Sequence, residues 1–192
     1  MKIITSYLPA TSGSAVVCGF DVNEQPMEVR KRIGYLPEAN PLYFEMYVRE
    51  YLDFTAGVHK LGKDKQKRIE EMISLTGLGK EAHKKIGTLS KGYKQRVGLA
   101  QAMLHNPDVL ILDEPTAHLD AQNAKRITAL LLALPIAILI VSHDSECIDR
   151  FPYRLSLVQE DQTLVPTLID QQLLSMYQPT EIYHHHRHRK QG

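Results

Sequence analysis

The sequence predicts an α/β fold built on a parallel sheet, with a small helical subdomain, and three observations predict it. A short, wholly apolar run, Val109-Leu110-Ile111-Leu112, is followed by a helical stretch and then by a second apolar run, Ile136–Val141. Continuous apolar strands are the kind buried on both faces, and strand, helix, strand at this spacing calls for parallel neighbours joined by a right-handed crossover. Between residues 46 and 88 the apolar period becomes helical: Val48, Tyr51, Leu52 and Thr55 recur at that spacing, and so do Ile69, Met72, Ile73 and Thr76.

Residues 1–45 are mixed, with turn signals at Pro9, Ser12-Gly13 and Pro37 and strand-like runs over 15–17 and 33–36. In 46–88 the two helical patterns are separated by the charged, solvated stretch LGKDKQK. A helix is predicted from about Gly92 to His105, burying Val97, Ala100 and Leu104, and Asn106-Pro107 stops it because the residue before proline avoids the α region. The crossover helix covers roughly 121–134. From Thr163 a tail begins, with a short helix over 168–177, Pro179 and the sequence YHHHRHRKQG. Its histidines at 184, 185, 186 and 188 have no acidic or cysteine ligands beside them, so the tail reads as a partly disordered extension rather than a metal centre. The predicted organisation is 1–45 and 89–162 for the core, 46–88 for the helical subdomain and 163–192 for the extension.

Composition limits the partners. The 192 residues are 43% hydrophobic and 23% charged, with a formal net charge of +1. That balance gives no excess of Lys and Arg for a polyanion, so no nucleic acid is expected. Two cysteines, Cys18 and Cys147, are too few for a disulfide framework and suit a reduced, cytoplasmic setting. No signal peptide opens the chain, and the longest apolar run, 129–141, is interrupted by Pro135 and falls short of the ~20 residues that span a bilayer.

The chemistry concentrates at VLILDEP, residues 109–115. Ligands of α/β proteins sit at the carboxyl ends of the strands, where Asp113 and Glu114 fall. Adjacent carboxylates there are costly unless a cation or a reacting water needs them; the plain alternative is a solvated acidic turn before Pro115. In a nucleotide hydrolase the Asp holds Mg²⁺ and the Glu polarises the water attacking the γ-phosphate. The second strand ends at Val141-Ser142-His143-Asp144, so parallel pairing brings His143 beside the acidic pair, where a neutral imidazole can hydrogen-bond a phosphate. Upstream, LSKGYKQR (89–96) precedes a helix: Ser90 can cap it, and Gly92 lets a ligand approach an N-terminus that attracts anions. An ordinary helix cap is the competing reading of that motif taken alone.

Together these motifs carry a resemblance. LSKGYKQRVGLAQAMLHNPDVLILDEPTAHLD followed by VSHD resembles the ABC ATPase family through its signature, Walker B, D-loop and switch-histidine regions, in the family's order and spacing. GYLPEANPLY (34–43) resembles the Q-loop, and TSGSAVVCGFDV (11–22) the stretch that precedes it, so the resemblance covers about residues 1–160. The LSKGY and YLPE forms are most similar to ATPases of ABC-2-type exporters, including gliding-motility-associated ones. The resemblance implies a P-loop NTPase-like core that binds ATP and Mg²⁺. It implies that Glu38 occupies the Q-loop position sensing metal and γ-phosphate, and that a membrane subunit docks near Ala39–Tyr51. It gives Ser90 and Gly92 the role of covering the γ-phosphate held by a second ATPase subunit in a head-to-tail dimer. Asp120 takes the D-loop role, Asp113 and Glu114 those of Walker B, and His143 that of the switch. The implied setting is cytoplasmic, peripheral on the inner face of the cell membrane.

The departures are specific. The family's phosphate-binding loop, GxxGxGK[ST], is absent from the 192 residues, and MKIIT resembles the helix that follows it, so Lys2 is not that loop's lysine. A chain cut just downstream of the loop is therefore expected, with little ATP affinity and no turnover alone, because the loop's N–H nest and lysine neutralise the β- and γ-phosphates. Glu38 stands where most of the family has Gln, Lys91 and Tyr93 replace Gly and Gln of the commonest signature, and His118 replaces a D-loop glycine. The leading reading is an ATP-binding subunit powering export through separate membrane subunits. Alternatives are a non-catalytic partner completing an intact subunit's ATP site, or an ABC-type ATPase of DNA repair or translation. The last lacks here the long coiled coils or basic linker those proteins carry.

Overall fold

The computed structural model describes residues 1–152, 155–160 and 163–168. Residues Met1–Ile148 gather into one compact unit and Asp149–Gly192 into a second.

In the first unit, residues 1–8 form hydrogen-bonded turns, with Thr5 N–H donating to Met1 O and Ser6 N–H to Ile3 O. They lead to a two-residue ladder, β1 (Val16–Val17) with β2 (Phe20–Asp21). The turn between them places Cys18 and Gly19 at φ 51 and 84, the pair of left-handed residues that matches the strand twist of a tight hairpin. Asp21 then accepts from the N–H groups of Asn23 and Glu24, a side-chain turn leading to α1 (Pro26–Arg32), whose first residue is a proline with no N–H to waste.

The sheet that positions the site has three parallel strands in the order β3 (Ile33–Leu36), β4 (Val109–Asp113), β5 (Ala137–Val141). The run at 33–36 forms the predicted strand, and the two apolar runs form β4 and β5. Between β3 and β4 lie α2 (Val48–Val58), α3 (Lys65–Leu75) and α4 (Lys91–Met103); α5 (Ala121–Leu132) makes the β4–β5 crossover, and α6 (Ser145–Ile148) follows β5. The apolar stripes read from the 46–88 segment are all buried: Val48, Tyr51, Leu52 and Thr55 on α2, Ile69, Met72 and Ile73 on α3, and Thr76 just after it. They pack α2 and α3 on each other and on α4. Helix α4 ends earlier than His105 because Asn106 turns left-handed at φ 57 before Pro107, while Arg68 donates to the carbonyls of Met103 and Leu104.

In the second unit β6 (Leu155–Glu160) pairs antiparallel with β7 (Thr163–Leu168), joining residues on either side of the 162/163 boundary expected from sequence. Leu168 is thus the end of a strand; the rest of the helix predicted over 168–177 and the histidines at 184–188 lie outside the described residues.

One half-buried pair makes stability depend on pH. The rings of His59, just after α2, and His105, just after α4, stack with centroids 4.0 Å apart. His105 Nε2 lies 3.0 Å from Ile33 O, while its Nδ1 is buried without a partner. Burial, then the His59 ring and Arg68, depress His105 to about 4, and burial also lowers His59. The folded state therefore refuses a proton that the unfolded chain takes up near pH 6.5. The stability present above that pH should fall between about 6.5 and 4, by up to about 3 kcal/mol from His105. Urea melts across that range should show the slope in wild type and a flatter one in His105→Phe, which keeps the stacking and loses the titration.

Candidate functional site

Parallel pairing lines up the carboxyl ends of three strands. Leu36 pairs with Leu112 and Asp113 with Val141, so Pro37-Glu38, Asp113-Glu114 and Ser142-His143 follow one another along a single rim. Glu114 N–H donates to Val141 O at 2.8 Å, with Glu114 itself at φ 50. A left-handed glutamate is strained, and such strain persists only where surrounding contacts hold it. Here they are specific: Ser142 Oγ donates to Glu114 Oε2 (3.1 Å) and His143 N–H to Oε1 (2.9 Å). The carboxylate is left only 14% exposed, and His143 Nε2 stands 3.8 Å from Oε1 with its side chain 98% exposed. A fixed carboxylate thus lies beside an imidazole open to solvent.

The shell behind this pair is polar and satisfied. Asp144 accepts from Thr116 Oγ1 (2.9 Å), Glu146 N–H and Cys147 N–H, and its own N–H donates to Ser142 Oγ. Ser142 thereby receives one bond and passes one to Glu114. Ser142, Thr116 and Asp144 carry no role in the motif reading; the signal was present in the unbroken polar run SHD after an apolar strand. Asp113 differs from Glu114. It is half-buried and makes no hydrogen bond or ion pair among the described residues, and its charge together with burial raises Tyr35 on the neighbouring strand.

Of the remaining candidates only Glu38 shares the rim. Glu38 is exposed beyond β3. Ser90 caps α4, accepting from Tyr93 N–H at 3.4 Å, and Asp120 caps α5, accepting from Asn123 N–H (2.9 Å) and Asn123 Nδ2 (2.6 Å), bonds that lower its pKa, the backbone one most. These two helix starts touch: a Cβ on Gly92 would stand 2.9 Å from Asn123 Cγ. Ser90, Gly92 and Asp120 therefore form a second group, and no hydrogen bond among the described residues ties Ser90 to Glu114 or His143. Asn40, at φ 40, anchors the segment after Glu38 to α4 by donating from Nδ2 to Lys94 O (2.9 Å) and packing against Gly98. Neither asparagine was legible as a contact from sequence.

A metal fits this rim in one way. Among the described residues no group of three His, Cys, Asp or Glu side chains is placed to cage an ion. Both Glu114 oxygens already accept hydrogen bonds, which leaves Asp113, and Glu38 at the end of β3, as the rim carboxylates with free oxygens among the described residues. Mg²⁺ is commonly held by one or two carboxylates while waters and substrate phosphates complete its octahedron, and Asp113 suits that arrangement.

Residues 1–117 match the family described as "ABC transporter". Among curated proteins the chain is 39% identical over 152 residues to an uncharacterized ABC transporter ATP-binding protein of Bacillus subtilis, YxlF, covering 76% of this chain and 50% of that one. It is 32% identical over 168 residues to the bacitracin transport ATP-binding protein BcrA of Bacillus licheniformis, covering 85% and 54%. The chain thus spans about half the length of these relatives. Among solved structures it is similar to cbiO1 of Clostridium perfringens, part of the ABC transporter complex cbiONQ, with TM-score 0.65, 31% identity, and 74% and 61% of the two chains covered. It shares its fold with the cassette MJ0796, solved as a dimer bound to ADP and Pi, with TM-score 0.69, 24% identity, and 76% and 69% covered. No helix among the described residues is long and apolar enough to cross a membrane. With the parallel sheet, the ordered motifs and these matches together, the chain belongs to the ABC transporter family and matches its ATP-binding proteins over about half their length.

Proposed function

We propose that this chain supplies the hydrolytic half of an ATP site in an ABC transporter, the half that holds metal and attacking water. The observation that carries it is the Glu114 carboxylate pinned by Ser142 and the His143 backbone beneath an exposed imidazole. In this reading Asp113 binds Mg²⁺, which neutralises charge developing on the phosphate oxygens. Glu114 accepts hydrogen from the attacking water, its orientation fixed by two donors. His143 reaches the γ-phosphate from solvent, and Glu38 approaches the metal from the end of β3. Ser90, Gly92 and Asp120, grouped at two helix starts, serve a second subunit's nucleotide.

The wider reading is a subunit that powers export, peripheral on the cytoplasmic face of a membrane. The surface favouring a membrane-subunit partner is aromatic: Tyr43, Phe44, Tyr47 and Phe54 are each about half exposed, within or next to the Ala39–Tyr51 segment. Tyr43 stacks edge-on to both Tyr51 and Phe54, and Lys94 of α4 lies over the Phe44 ring. Rigid aromatics of this kind anchor protein interfaces. The helical segment 46–88 is proposed as a subdomain inside the first unit, and the extension proposed from 163 is better begun before β6, since β6 and β7 pair across 162/163.

Because the 192 residues hold no GxxGxGK[ST], nucleotide affinity should be weak, so paramagnetic contact is the sensitive test. Manganese with ATP at millimolar concentration should broaden the amide signals of Asp113, Glu114, Ser142 and His143, and Asp113→Asn should remove the effect. Broadening confined to other acidic surfaces, such as Glu50 and Asp53, would remove the basis of this reading.

A further inference from the structure

Glu38 reaches the rim on a short turn, and one residue closes that turn. Glu38 and Ala39 are exposed between two buried leucines, Leu36 and Leu42. Asn40 N–H donates to Pro37 O (3.0 Å), which puts Glu38 and Ala39 at the central positions of a four-residue turn. Asn40 O accepts from Leu42 N–H (2.9 Å), and Asn40 Nδ2 donates to Lys94 O (2.9 Å) in α4. Among the described residues this last bond is the one hydrogen bond from residues 38–43 to another element.

Both partners in that contact accept a local disadvantage. Asn40 takes φ 40, a left-handed conformation that asparagine adopts more readily than most residues with a Cβ, and Pro41 disfavours the right-handed helical alternative. Gly98 lies inside α4, where glycine weakens a helix relative to alanine. A Cβ on Gly98 would stand 2.6 Å from Asn40 Nδ2 and 2.7 Å from its Cγ, so any side chain there would push the carboxamide out. Lys94 holds the same segment a second time, its Nζ lying 5.1 Å from the Phe44 ring centroid.

We propose that Asn40 is the positioning residue for Glu38: its carboxamide, seated against Gly98, holds the turn at a fixed place on the rim, from which the Glu38 carboxylate meets the metal. Strained backbone persists where the surroundings fix it, and such strain gathers at functional sites. A metal that met Glu38 on an untethered loop would have to order that loop on binding, and a turn closed beforehand removes that cost. Asn40 closes the turn with its backbone and anchors it with its side chain, so one residue sets both the shape of the turn and its distance from α4. The use of Glu38 by a metal rests on the proposed function; the pinning of the turn does not.

The test uses the full chain and three substitutions. Asn40→Gly keeps the left-handed backbone and removes the carboxamide, Asn40→Asp has no donor for Lys94 O, and Gly98→Ala fills the carboxamide's seat while favouring the helix. Without ligand, the amide order parameters of Glu38 and Ala39 should be about 0.85 in wild type and below about 0.6 in each variant, with those of α4 unchanged. With ATP present, manganese is then titrated and followed by the broadening of the Asp113 amide. The midpoint should rise by about 5-fold in Asn40→Gly and in Glu38→Ala, and no further in the double variant, because the first residue acts through the second. An ordered turn in Asn40→Gly or in Gly98→Ala would overturn the proposal, and so would midpoint shifts that multiply in the double variant. A loosened turn with a midpoint that Glu38→Ala does not move would overturn Glu38's role at the metal and leave the pinned turn standing. Absence of Asp113 broadening in wild type would fail the hydrolytic rim itself, a result read apart from the order parameters, which need no nucleotide.

Discussion

Glu114→Gln is expected to lower ATP turnover by about 10²- to 10³-fold in an assembly that unites this chain with a complete phosphate-binding loop, the range for loss of a positioned general base. The substitution is nearly isosteric, so the effect isolates charge. Ser142 Oγ and His143 N–H both donate to the carboxylate at 3.1 and 2.9 Å. Glutamine keeps an oxygen for the fixed backbone donor, and the serine hydroxyl can rotate to accept from the amide, so the side chain stays in place without its basicity. Nucleotide affinity should change by less than about 3-fold, and the variant should retain unhydrolysed ATP. Turnover within a factor of two of wild type would remove Glu114 from the mechanism. A parallel loss of nucleotide binding would instead assign it to the metal.

Gly34→Val should be the most damaging single substitution for the fold, costing about 3 kcal/mol or more. Gly34 lies in β3 where α4 crosses it, and a Cβ there would collide with the backbone oxygen of Ala102 and meet Leu110 Cδ1 at 2.9 Å and Pro107 Cγ at 3.0 Å. Backbone cannot yield as a flexible side chain can, so β3 and α4 must separate. Gly57 in α2 is the contrast, with nothing within 4 Å of an added Cβ. Gly57→Ala should raise stability by up to about 1 kcal/mol through helix propensity. Urea unfolding of both variants gives the comparison, and equal effects at the two positions would contradict the close packing of α4 on β3.

Gly34 also shows where sequence reasoning stopped. The apolar runs at 109–112 and 136–141 and the stripes of α2 and α3 were legible because burial imposes a period, and the strands and helices lie within a few residues of where that period put them. The adjacency of Asp113, Glu114 and His143 followed from parallel pairing alone, since the strands bring their carboxyl ends together. Contacts that depend on side-chain reach rather than period were not legible. Asn40 on Gly98, Asn123 on Gly92 and Ser142 on Glu114 join residues 58, 31 and 28 positions apart, differences read directly from their numbers. The β6–β7 hairpin was missed because LSLVQE and TLVPTL mix apolar and polar residues without clean alternation, and Pro166 inside the second run argued against a strand. The left-handed backbone of Glu114 has no sequence signal, because glutamate has no preference for it.

Asp113, Glu114 and His143 are proposed to form a hydrolytic rim, and the 192 residues contain no GxxGxGK[ST] loop to grip the phosphates. The most direct measurement is steady-state phosphate release by the purified 192-residue chain with saturating ATP and Mg²⁺, beside the Glu114→Gln variant prepared identically. The predicted result is that the two preparations coincide at background. Sustained release by the wild-type chain that vanishes in the variant would mean that these residues hold ATP phosphates without that loop, and the division of labour argued here would be wrong.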